Sequence, residues 1–124
     1  VLATDINEAM KRIVSAIRLP DFITRKDFEW AVHTAENKKH IDCSRAEFLT
    51  IEEGLCVQIM HHGSFDAEPE TIEKMNQYLE TQGYENDITD QRRHHEIYLS
   101  DARKTAPEKW KTVIRHPIRK KANC

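Results

Sequence analysis

Two glycines, Gly54 and Gly63, enclose the run LCVQIMHH, and this short alternating segment constrains the fold more than any other stretch. Glycine weakens the interiors of helices and strands, so the three glycines of the chain read as element boundaries. On an extended backbone Leu55, Val57 and Ile59 share one face, and Cys56, Gln58, Met60 and His62 share the other. After Gly63 the period changes. Ile72, Met75, Tyr78 and Leu79 recur at spacings of three and four, which predicts a helix over 67–82. Asp66 is its candidate cap, Pro69 fits the first turn, and Gly83 fits the C′ position. Glu68, Glu70 and Glu73 then lie at the positive end of the helix dipole.

The flanking segments extend this alternation of strand and helix. RIVSAIRL, 12–19, is rich in β-branched residues and predicts a strand that Pro20 ends. Residues 4–11 are either a helical turn or a frayed lead-in. Thr24 and Asp27 form a capping-box pattern, Ile23 can staple onto Phe28, and a helix is predicted over about 25–38. EFLTI, 47–51, predicts a strand that turns through Glu52, Glu53 and Gly54 into 55–62 as a hairpin. Residues 84–92 read as a loop, 94–101 as a strand, 102–109 as a loop and 110–118 as a last strand ending near Pro117. The order β-α-β-β-α-β-β predicts an α+β fold, a mainly antiparallel sheet with helices on one face.

Composition narrows the function classes. The 124 residues fit one domain, and 19 basic against 21 acidic side chains leave no basic footprint for nucleic acid. The basic tail residues Arg115, Arg119, Lys120 and Lys121 read as a solvated terminus. Cys43, Cys56 and Cys124 are odd in number and form no CxxC pair, which argues against a disulfide framework or a thiolate zinc site and for a cytoplasmic setting. No apolar run approaches the roughly 20 residues of a membrane span.

The segment HHEIYL carries the clearest chemistry. On a strand, Ile97 and Leu99 turn to the apolar side under the helices, while His94, Glu96 and Tyr98 turn together to the other face. Glutamate is depleted in strands and is almost never buried unpaired. Periodicity alone favours the plainer reading of a solvated sheet face. Against it stands the second strand, whose matching face, Cys56, Gln58, Met60 and His62, is soft and semi-apolar, as a pliable binding wall is. The pairs His61–His62 and His94–His95 point to opposite faces and cannot chelate one ion, so no metal site is assigned. GxSxG, GxGxxG and P-loop patterns are absent, and no cofactor is called.

The stretches EEGLCVQIMHHGSFDAEPETIEKM and RRHHEIYLSDARKTAPEKWKTVIRHPI resemble the GyrI-like small-molecule-binding domain, the effector-binding fold of multidrug-sensing transcription activators. The similarity extends over 12–118 and leans to the stand-alone bacterial branch. It implies two βαββ units about a pseudo-twofold axis with a pocket between them. One unit is supplied in full by 55–62, 67–82, 94–99 and 111–118. The first strand, helix and second strand of the family are expected to be missing, as in an N-terminally truncated single domain.

The resemblance also implies that a glutamate on the EIYL strand, Glu96, meets cationic or polarised ligands, which reverses the plainer reading of that face. The leading expectation is a domain binding amphipathic, often cationic aromatic molecules through Glu96, Tyr98, His94, Met60, Gln58 and His62. The resemblance implies two alternatives. One is hydrolysis of strained cyclopropane rings in DNA-alkylating natural products, with Glu96 as general base and Tyr98 or His94 as proton partner. The other is a protein-binding, gyrase-inhibitor-like module. An unpaired sheet edge predicts self-association as a twofold homodimer, with a small-molecule ligand and with neither nucleic acid nor membrane as partner.

Overall fold

The computed structural model describes residues 14–122, which form two compact units divided at Thr50 and Ile51. Residues 4–11 and the start of the segment 12–19 lie outside the described residues.

The first unit is built on helix α1, Arg25–Lys39. Thr24 caps it with the expected box: its Oγ1 accepts from the Asp27 N–H at 3.3 Å, and the Asp27 carboxylate accepts from the Thr24 N–H at 2.8 Å. Lys38 and Lys39 occupy the last turn, where the dipole favours cations. Phe28 stacks on Phe48 with centroids 5.6 Å apart, and the Arg25 guanidinium lies over the Phe48 ring. Among the described residues two expected strands do not form. Residues 14–19 are exposed and join no ladder, and 47–51 likewise pair with no strand. β-branched composition suits an extended chain, but only a partner strand makes it a sheet.

The second unit holds the sheet. Strands β1 (Cys56–His62), β2 (Tyr84–Asn86), β3 (His95–Tyr98) and β4 (Lys111–Lys120) are all antiparallel to one another where they pair. β4 is central. β1 covers one of its edges along 111–117, while β3 and then β2 share the other edge. Helix α2, Glu68–Gln82, follows β1, and β1, α2, β3 and β4 make a βαββ arrangement with the short β2 inserted after the helix. The fold is thus α+β with an antiparallel sheet, as the alternation predicts.

The turn before β1 is held by Arg92. Arg92 donates from Nε to the Glu53 carbonyl at 3.1 Å and from Nη2 to the Leu55 carbonyl at 2.7 Å. Its Nη1 also bonds Asp87 at 2.8 Å. The Leu55 carbonyl also accepts from the Ile118 N–H of β4 at 3.0 Å, so the turn is tied to β4 and to a side chain 37 and 39 residues away. Gly54 has φ 66°, and a Cβ there would meet the Arg92 guanidinium at 3.2 Å, so both conformation and space call for glycine.

Three boundaries differ from expectation. A 3₁₀ turn, Phe65–Ala67, leads into α2, so Ala67 rather than Asp66 is its N-cap. Residues 84–86, expected as loop, pair with the end of β4. β4 also continues through Pro117. The Pro117 carbonyl accepts from the Asp87 N–H at 2.8 Å, so its absent N–H faces the same edge, in the gap between β3 and β2 where no donor is needed. Gly83 ends α2 at φ 78°, as expected.

The core lies on one face of the sheet. Met75 and Leu79 of α2 and Ile114 and Ile118 of β4 are buried. Thr112, His116 and His61 are buried on the same face. His61 pins α2 to β1: its Nδ1 meets the Thr71 hydroxyl at 2.6 Å, and its Nε2 donates to the Ser64 carbonyl at 2.7 Å. Both ring nitrogens are satisfied, so this histidine holds the 3₁₀ turn in place.

Candidate functional site

Residues opposite one another in an antiparallel ladder share a face. Glu96 lies opposite Ile114 and Tyr98 opposite Thr112, both buried beneath α2, while Ile97 lies opposite Val113. The strand parity inferred from hydrophobicity is therefore inverted. His94, Glu96 and Tyr98 do share a face, but it is the α2 face, and Ile97 points away from it. On the far face Met60, opposite Val113, lies with Ile97, Gln58 and His62. The six expected site residues thus fall into two groups on opposite sides of the sheet.

The α2 face gathers a polar cluster. The first residue of α2, Glu68, is 9% exposed and hydrogen bonds to Glu96. Glu96 Oε2 accepts from the Tyr98 hydroxyl at 2.8 Å, and Oε1 lies 3.2 Å from His94 Nε2. His94 Nδ1 is 2.6 Å from His116 Nε2, and His116 Nδ1 is 3.2 Å from Asn86 Oδ1. Asn86 Nδ2 then donates to Asn76 Oδ1 on α2 at 3.0 Å. Beside Tyr98 stands an aromatic row. Phe65 packs 5.4 Å from the Tyr98 ring and 4.8 Å from Trp110, whose indole N–H donates to the Thr105 carbonyl at 2.8 Å. Tyr98 is 60% and Phe65 44% exposed, so the carboxyl pair is flanked by an open, ring-lined surface.

The two carboxyls are pushed in opposite directions. Burial, then the hydrogen bond and charge of Glu96, raise Glu68 to about 7. The bond from His94, with those from Glu68 and Tyr98, lowers Glu96 to about 2 against its partial burial. A helix N-terminus favours an anion, yet desolvation prevails at Glu68. Glu68 Oε1 is buried without a hydrogen-bond partner, a position tolerable for an acid and costly for an anion. Burial and the Glu96 carboxylate raise the Tyr98 hydroxyl to about 12, which keeps it a donor. Burial, then the charge of His94, lowers His116 to about 4, so its ring is neutral.

On the far face Gln58 is already engaged, while Met60 and His62 are exposed. Arg115 donates twice to Gln58 Oε1, at 3.0 and 2.9 Å, and once to Glu53 Oε1 at 2.9 Å; the same oxygen lies 2.8 Å from His95 Nδ1. Arg115 is thus a fixed ion-pair partner that holds Glu53 below the usual carboxylate range. The cleft beside these groups measures about 10 Å³, the space of a single water. Among the described residues no three His, Cys, Asp or Glu side chains are arranged to hold a metal ion.

Glu68, His116, Phe65 and Trp110 were not expected site residues. Glu68 stood among three acids that the dipole explained equally well, and no sequence signal separates it from them. His116 had a signal, since it follows Thr112 and Ile114 on the alternating buried side of β4.

Residues 20–119 match the GyrI-like small molecule binding domain. The chain belongs to that family. Two solved structures from Listeria innocua share its fold closely. One, described as a hydrolase, has 48% identity and TM-score 0.78, covering 82% of this chain and 52% of that one. The other, an uncharacterized conserved protein, has 50% identity and TM-score 0.79, covering 82% and 50%. A further hydrolase, encoded by lin2189 of the same organism, is 47% identical with TM-score 0.75, covering 82% and 50%. This GyrI-like chain thus spans about half the length of the solved structures it matches, and no curated protein matches it.

Proposed function

We propose that this GyrI-like chain binds a polarised aromatic small molecule against Phe65, Tyr98 and Trp110 and adds water to it. The observation that carries this reading is the Glu68–Glu96 pair, with one carboxyl biased to the acid and its neighbour held as the anion. Groups pushed apart in this way divide the labour of acid and base. Glu68, poised near neutral pH, is better matched to proton transfer than Glu96. Glu96, the anion of the pair, orients the water and takes up the proton it loses.

For a cyclopropane conjugated to a carbonyl, the substrate class the family resemblance suggests, the balance closes. The water oxygen bonds to a ring carbon while the ring C–C bond breaks. Its electron pair moves to the carbonyl oxygen, which takes the Glu68 proton. The proton lost by water passes to Glu96 and returns to Glu68 through their shared hydrogen bond. Two of the similar Listeria innocua proteins are described as hydrolases, which supports the same reading.

The test is incubation of the purified chain with a strained-cyclopropane DNA alkylator, followed by mass spectrometry. The expected result is many equivalents of a product heavier by one water, lost in Glu68→Gln and in Glu96→Gln. Ligand binding without turnover would overturn hydrolysis. It would leave reversible binding of an amphipathic ligand with Glu96 as its charged contact, a reading supported by the open ring-lined surface beside that carboxylate.

A further inference from the structure

The chain of polar groups behind Glu96 has a direction. Asn86 donates its amide to Asn76 Oδ1, so the oxygen it presents to His116 can only accept. His116 therefore donates from Nδ1. Being 5% exposed, it is a neutral ring, and it has only a lone pair left on Nε2. That lone pair sits 2.6 Å from His94 Nδ1, which must carry a proton. On its other side, His94 Nε2 faces Glu96 Oε1 at 3.2 Å, and a carboxylate can only accept. His94 is thus asked for a proton on both nitrogens.

We propose that His116 acts as a positioning and specificity residue that holds His94 as an imidazolium against Glu96, so that the site is electrically neutral and selects an uncharged aromatic ligand over a cation of the same shape. The charged and titratable groups around His94 are Glu96 and Tyr98 on β3, His116 on β4 and Glu68 at the start of α2. Tyr98 remains a phenol and Glu68 is biased to the acid, which leaves the His94–Glu96 pair as the ionised groups, with their charges cancelling. A cation entering beside Glu96 meets the imidazolium as well. A neutral, polarised carbonyl compound meets no excess charge. This selection rests on the α2 face being the ligand site; the protonation of His94 does not.

Two measurements keep those claims apart. Nitrogen-15 NMR of the free chain at pH 7 should show both His94 nitrogens protonated and His116 with a bare Nε2. In His116→Phe, which keeps an aromatic ring but offers no lone pair, His94 should become a single tautomer. A His94 with a bare nitrogen in the unaltered chain would mean that the amide chain runs in reverse and would overturn the proposal, whether or not the variant folds.

For selection, 1-methyl-2-quinolone and N-methylquinolinium serve as neutral and cationic probes of matched shape. The chain should bind the neutral probe at least severalfold tighter, and His94→Gln should shift the preference about tenfold toward the cation. A cation preference in the unaltered chain, or an unchanged ratio in His94→Gln, would overturn it. Absence of turnover alongside an imidazolium His94 would overturn hydrolysis alone.

Discussion

Glu68 and Glu96 share a hydrogen bond between the first residue of α2 and the middle of β3, and only Glu96 has further partners to hold its charge. An anion on Glu68 would be buried with one oxygen unpaired beside a second anion. This asymmetry governs the pH behaviour expected of the protein.

Turnover should therefore follow the acid form of Glu68. Rates of strained-ring hydrolysis are expected to be level below pH 7 and to fall about tenfold per unit at higher pH, as the group at about 7 ionises. Glu68→Gln should lower kcat by about 10²–10⁴. A profile unchanged across pH 6–9 would remove Glu68 from the proton path.

Stability should respond to the same substitution with an opposite benefit. Glu68 is raised from 4.5 to about 7 on folding, so the native state binds more protons over that window and loses stability as pH rises through it. His116, lowered from 6.5 to about 4, works the other way, with stability rising as pH climbs through that range. Glu68→Gln removes the first effect only. Its stability relative to the unaltered chain should increase between pH 4.5 and 7 and stay constant above, as measured by denaturant melts at several pH values. A difference independent of pH would contradict a buried acid.

Core truncations should report the strand parity. Ile114, 0% exposed beneath α2, should cost about 2–5 kcal/mol when changed to Ala. Ile97, half-buried on the far face, should cost about 1–2 kcal/mol. Urea melts giving the reverse order would return Ile97 to the helix side and Glu96 to the far face.

Tyr98→Phe separates ring from hydroxyl. The ring contact with Phe65 survives, while Glu96 loses the donor at 2.8 Å. At so exposed a position the lost bond should weaken catalysis by about 1 kcal/mol, roughly fivefold, with KM little changed. A large rise in KM with kcat intact would instead make the hydroxyl a ligand contact.

Local order was well written in the sequence, and partnership was not. The Thr24–Asp27 cap, the helix closed by Gly83 and the grouping of His94, Glu96 and Tyr98 depend on nearest neighbours along the chain, and all three are present. Which face of β3 lies under α2 depends on its register with β4, 14 residues further on at Tyr98 and Thr112, and on a distant acid able to share a proton. Hydropathy assigned Ile97 inward because it cannot see that compensation. The segments 14–19 and 47–51 have suitable side chains, but sheet pairing is a property of two strands. Arg92 capturing the carbonyls before β1 illustrates the same point, since nothing local marks that arginine for the turn.

The central position of β4 bears on how this unit is made. Every other strand, β1, β2 and β3, pairs with β4, β1 and β2 skipping the strand that follows them in sequence, and β4 is the last of the four to leave the ribosome. Until β4 has emerged, the earlier strands have no ladder to join, and β2 must wait for residues 118–120. Such non-local closure predicts slow, late, cooperative collapse during synthesis. His116 arrives with β4, so the acid–base cluster exists only once the sheet has closed, and a nascent chain halted before it would expose α2 to chaperones.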